Sequence, residues 1–174
     1  MAQQKQQLAS VAGKMSFAAN GKILDCMMNE PTQGMATVLF SRQAADGQIA
    51  VAVFLLDLYC LGVKDTIADY WAPTRYNEFR EKLVSEQGLE RISPGMACGV
   101  VEAAVEYADS FGIAPHADYR KMVAIWGDVV PEPIDGRVEF GRDGKPIYVA
   151  GPHDSPMKQR SILQKLEASA GEGN

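Results

Sequence analysis

The chain has 174 residues, 47% of them hydrophobic and 22% charged, with a formal net charge of −5. A chain of this length buries about 70% of the surface its unfolded form exposes, so one compact domain needs no disulfide staple and the composition excludes a disordered or fibrous body. The acidic balance argues against a sequence-independent grip on nucleic-acid phosphates, which takes a basic patch able to displace counterions.

Residues 1–20 are rich in Ala, Gln, Ser and Gly and weakly periodic, which predicts a mobile or loosely helical N-terminal arm. The folded body, 21–170, follows as a single α+β domain, and 171–174 are expected to fray. Ile23 to Met28 and Ala36 to Arg42 read as strands, and Asp46-Gly47 supplies the turn that returns the chain into Gln48 to Tyr59. In that long arm Val51, Val53 and Leu55 alternate with Ala52, Phe54 and Leu56, so both faces are apolar and the strand is predicted to be central.

Helices come next. Thr74 is a candidate N-cap after Pro73, with Tyr76, Phe79, Leu83 and Val84 at helical spacing and Gly88 as the stop. Ser93-Pro94 is a cap followed by a first-turn proline, and Gly112 stands where a C-cap is expected. The inward face of this helix uses Ala97, Val100, Val101, Ala104, Val105 and Ala108, small residues that let a neighbouring backbone come close. Tyr119, Met122, Val123 and Trp126 mark a shorter helix closed at Gly127. Beyond the Pro-rich connector 130–136, a second hairpin is expected from Val138 to Phe140 and Pro146 to Ala150. Ser155-Pro156 then opens a last helix with Met157, Ile162, Leu163 and Leu166 facing inward. The prediction is α+β, with a mainly antiparallel sheet of about five strands in two hairpin regions packed with about four helices.

Cys26, Cys60 and Cys98 are odd in number and form no Cys-x-x-Cys pair, which fits reduced thiols in a cytosol better than a secreted framework or a zinc ribbon. No apolar segment of signal-peptide or membrane-spanning length stands out, so the expectation is a cytoplasmic protein with no membrane association.

Candidate chemistry lies in three places. The only histidines each stand beside an acid, as His116-Ala117-Asp118 and His153-Asp154. Together they make a candidate divalent-metal set; His-x-Asp with a distal His also resembles the iron ligands of the 2-oxoglutarate oxygenases, although His116 falls at a predicted helix start and not in a jelly roll. The second place is the turn into the last helix, where Gly151, Ser155, Lys158 and Arg160 are candidates for holding an anion at a helix start. Here Ile147 to Pro152 resembles the opening strand of the nucleoside deoxyribosyltransferase-like fold, over those six residues only; 22 residues follow Pro152, too few for the β-α units of that fold. The third is Cys60, Lys64 and Asp65, where a thiolate near a lysine makes a candidate nucleophile. All three groups fall at the ends of elements, where sites are assembled.

Two function classes follow. One is a small cytosolic binding or accessory protein with a protein or small-molecule partner, using exposed rings such as Tyr70, Trp71 and Tyr76. The other is a divalent-metal-dependent hydrolase acting on a phosphoester or nucleotide through the His116/Asp118 and His153/Asp154 pairs. A homodimer is the base expectation for a soluble assembly.

Overall fold

The computed structural model describes residues 1–172. A short α1 (Ala2–Gln7) leads into α2 (Val11–Ala18), whose N-cap Ser10 accepts the Gly13 amide at 3.0 Å. Strands β1 (Lys22–Met28), β2 (Met35–Gln43), β3 (Ile49–Asp57), β4 (Gly62–Trp71) and the two-residue β5 (Glu90–Arg91) form one antiparallel sheet in the order β4-β3-β2-β1-β5. On one face lies α3 (Pro73–Gln87); on the other lie α2, α4 (Pro94–Asp109) and α5 (Tyr119–Met122), which tightens into a 3-10 turn over Val123–Trp126. A last helix, α6 (Pro156–Gly171), closes the chain. No helix of the described residues is long and apolar enough to cross a membrane.

The two-faced apolar pattern of β3 decides the layering. Ala50, Ala52, Phe54 and Leu56 enter the larger core with α4, while Ile49, Val51 and Val53 enter the smaller one under α3. Ser93 caps α4 by accepting the Met96 amide at 3.1 Å, with Pro94 in the first turn. The helix gives way at Ser110, and Gly112, at a φ of 72°, completes the turn that follows.

Four expectations are corrected. Met15 and Ala18 of α2 are fully buried in the main core, so packing begins N-terminal of residue 21; propensity and periodicity in an Ala- and Gln-rich stretch do not reveal burial conferred by a neighbour. The second hairpin does not form. The amides of Gly141 and Ile147 donate to the carbonyls of Leu58 and Tyr59, and only a bridge between Arg142 and Lys145 remains. In its place the sheet gains β4, disguised by its lysine and three acids or hydroxyls at Lys64, Asp65, Thr66 and Asp69, residues a covered strand rarely carries. Finally, Tyr70, Trp71 and Tyr76 are no exposed patch. Tyr76 is buried, Trp71 packs on Phe79 and Tyr70 donates to Asp46 at 2.6 Å.

In α6 only Ile162 is buried; Leu166 is half-buried, while Met157 and Leu163 face outward. The expected frayed end at 171–174 lies partly outside the described residues.

As an edge strand, β4 presents unpaired backbone groups. The β2–β3 turn, where the Ala44 amide donates to the Gln48 carbonyl, sets the register so that Asp65, Ile67, Asp69 and Trp71 bond to β3. Thr66, Ala68 and Tyr70 therefore point their amides outward. Two of these three are masked: the Thr66 amide donates to Asp65 Oδ1 and the Tyr70 amide to Asp69 Oδ1, both at 2.8 Å. Removing both masks in Asp65→Ala/Asp69→Ala is expected to expose a pairing edge. Light scattering over a concentration series should show association in the double variant beyond that of the parent; equal masses at every concentration would show that the masks do not guard the edge.

Candidate functional site

The site is built on an irregularity in β4. Leu55 faces Asp65 and Leu56 faces Val63, so Lys64 is an extra residue in the ladder, a bulge that re-aims its side chain. Three elements hold the bulge. Asp57 Oδ1 accepts the amides of Tyr59 and Cys60 at 3.0 and 3.1 Å, fixing the β3–β4 turn. Gly62 follows at a φ of 67° against α4, and the His116 amide donates to the Val63 carbonyl at 2.9 Å on the open edge.

Lys64 thereby reaches the junction of three depressions. One, of about 380 Å³, is lined by Lys64, Asp65, His116, Gly151, His153 and Lys158. A second, about 310 Å³, continues past Lys64 and His116 to Lys158 and Lys165 of α6. A third, about 330 Å³, runs from Lys64 along Tyr59, Ile147 and Gly151. The segments that the sequence placed at element ends do converge here.

Most charges in the cleft are already matched. Asp154 accepts the Tyr148 hydroxyl at 2.7 Å, the Gly151 amide at 2.8 Å and the Lys158 ammonium at 2.7 Å. Lys158 first, then the Gly151 amide and the Tyr148 hydroxyl, hold its carboxyl far below the usual carboxylate range. His116 Nδ1 accepts the Asp118 amide at 3.2 Å, which assigns the ring proton to Nε2, 3.7 Å from Asp65 Oδ1. Asp118 is held by Lys121 at 2.7 Å. Lys64, in contrast, has no ion-pair partner among the described residues. Its ammonium and Asp154 Oδ2 each lie 3.4 Å from where a Gly151 side chain would begin. Its charge is also felt at Asp57, where burial raises the pKa and Lys64 opposes that rise.

Three candidate roles are therefore corrected. The His116, Asp118, His153 and Asp154 metal set is not assembled: among the described residues no three His, Cys, Asp or Glu side chains are grouped to hold a metal ion, and Asp154 is spent on protein donors. The anion site at the start of α6 is filled from within, since Ser155 Oγ accepts the Lys158 amide at 3.2 Å and Asp154 holds the Lys158 head; Arg160 is exposed and turns back to the Pro156 carbonyl. Cys60 is fully buried, and burial, reinforced by Asp57, pushes its thiol up to about 12, so it offers the cleft no thiolate. Lys64 and Asp65 do line the cleft. Sequence reasoning missed the bulge together with β4 itself, since Lys64, Asp65, Thr66 and Asp69 hide the strand in which the bulge lies.

The Asp154 cluster anchors α6 in a pH-dependent way. Its folded pKa lies below the ordinary 3.8, so the stabilisation is complete above that value and is lost as pH falls through 3.8 toward the folded pKa. The Gly151 amide proton resonance is expected to hold steady above about pH 5 and to move upfield only in stronger acid. In Asp154→Asn this acid step should vanish; a step that persisted in the variant would assign it to another group.

Fold and cleft together define an α+β protein with a ligand-sized cleft opening at a bulge in an edge strand. Comparison with protein-family models, with curated proteins and with solved structures returned no match.

Proposed function

We propose that this protein is a binding protein whose cleft at the β4 bulge takes a small ligand bearing an anionic group. One observation carries the reading: Lys64 is steered by a bulge to the meeting point of three depressions and has no ion-pair partner among the described residues, while its neighbour Asp65 accepts the Thr66 amide and Asp154 and Lys158 pair with each other. A half-buried ammonium facing an open cleft gains a charge-assisted bond when a carboxylate or phosphate arrives, and Lys165 on α6 adds positive potential to a chain whose net charge is −5. His153, exposed on the rim, supplies a further donor.

Lys64→Met keeps the aliphatic stem and removes the charge. Titrated at low ionic strength with acetate and with inorganic phosphate, the parent is expected to show a saturable shift of the Gly151 amide. The variant should bind about ten- to a hundredfold more weakly, the value of one charge-assisted hydrogen bond. Equal binding by both proteins, or none by the parent, would remove the proposal.

A further inference from the structure

The Lys64 cleft has a mainly apolar neighbour that the reading above leaves unused. On the α3 face of the sheet, α3 covers Ile49, Val51 and Val53, and its last turns form one wall of the corner where β3 and β4 approach the bulge. That corner holds a groove of about 180 Å³ whose apolar lining is Val53, Leu55, Ile67 and Leu83, with Thr37, Asp65, Thr66 and Gln87 among its polar borders. Ile67 is 44% exposed there, one of few large apolar side chains so placed in the sheet. The groove and the Lys64 cleft share Leu55 and Asp65 as lining residues, so they adjoin along β4. Asp65 at the join turns its carboxylate to His116, 3.7 Å away.

We infer that the ligand is an amphiphilic carboxylate, with its anionic head at Lys64 and its short apolar chain along Leu55, Ile67 and Leu83. This rests on the anion-binding reading and adds the other half of the molecule. Charge complementarity sets the head at Lys64. Strand rise sets the length: Ile67 lies three residue steps beyond Lys64, roughly 10 Å, the span of an extended chain of about eight carbons with bonds of about 1.5 Å. A peptide carboxy terminus would offer the same head, but its natural mode is to add a strand to β4, and Asp65 and Asp69 already occupy the outward amides of Thr66 and Tyr70. A small amphiphile needs none of those amides.

The test is an amide-resonance titration of the full chain with acetate, octanoate, octanol and a blocked tetrapeptide ending in a free leucine carboxylate. Octanoate is expected to move Lys64, Gly151, Ile67 and Leu83 together and to bind at least tenfold more tightly than acetate, since each methylene on an open groove is worth about a two- to fourfold gain. Octanol should leave Lys64 and Gly151 unmoved. Ile67→Ser, at an exposed position, should reduce octanoate to the acetate level without changing acetate binding, whereas Lys64→Met should weaken both. If octanoate binds no better than acetate, the anion site stands and the amphiphile falls. Tighter binding of the peptide than of octanoate overturns the inference in favour of a peptide terminus, and no response to either carboxylate overturns both readings.

Discussion

Replacing Arg42 by methionine is expected to cost the fold about 3–5 kcal/mol, the range for stranding several buried hydrogen-bond partners at once. Arg42 is 3% exposed, in the middle of the sheet on β2. Its guanidinium donates from Nε to the Ile125 carbonyl at 2.7 Å, from Nη1 to the Gly21 carbonyl at 2.8 Å and from Nη2 to the Trp126 carbonyl at 2.8 Å. Those acceptors end the segment after α2 and the 3-10 turn after α5, so one planar fork ties two stretches of chain to β2. The Asp128 carboxylate 3.8 Å away is 98% exposed and contributes little. Methionine fills much of the stem's volume, so the loss isolates the three carbonyls. Urea unfolding should show a lower midpoint at an unchanged slope. Arg42→Lys should restore less than half, because a single ammonium cannot reach three acceptors fanned around a plane. A loss below about 1 kcal/mol would mean that water serves those carbonyls in the variant.

Gly62→Ala is expected to be nearly as damaging, and it should also reach the cleft. Gly62 has a φ of 67°, and a Cβ there would lie 2.7 Å from the Ala104 carbonyl oxygen and 3.0 Å from the Ala108 side chain. The left-handed conformation alone costs an alanine about 1 kcal/mol, and the clash with helical backbone forces β4 and α4 apart, for a total of about 2–4 kcal/mol. Because Gly62 starts the strand two residues before Lys64, the displacement should shift the bulge and weaken anion binding in protein that remains folded. Calorimetry for the midpoint, with the acetate titration on the same sample, reads both effects. Lost stability with intact binding would show that the bulge is held by the His116 amide and the Asp57 turn and not by the Gly62 contact.

Much of this architecture is written locally. The caps at Ser93 and Ser155 with their following prolines, the stop at Gly88, the turn at Asp46-Gly47 and the double-faced apolar run of β3 each rest on the chemistry of a few adjacent residues, and each stands where that chemistry puts it. The small-residue face of α4 likewise announces a close neighbour, and Gly62 against Ala104 and Ala108 is that neighbour.

What the sequence does not contain is the partner of each unmatched group. Asp65 and Asp69 look like loop residues until β4 lies at an edge and their carboxylates find the next amide along. Gly141 and Ile147 look like parts of a hairpin until the β3–β4 turn competes for their amides. His116, Asp118, His153 and Asp154 have the composition of a metal site, and Asp154 has the surroundings of a helix anchor. Local propensity acts over a few residues, whereas the competition for donors, acceptors and counter-charges is settled among residues tens of positions apart. Among the described residues that competition leaves Lys64 without an ion pair at an open cleft.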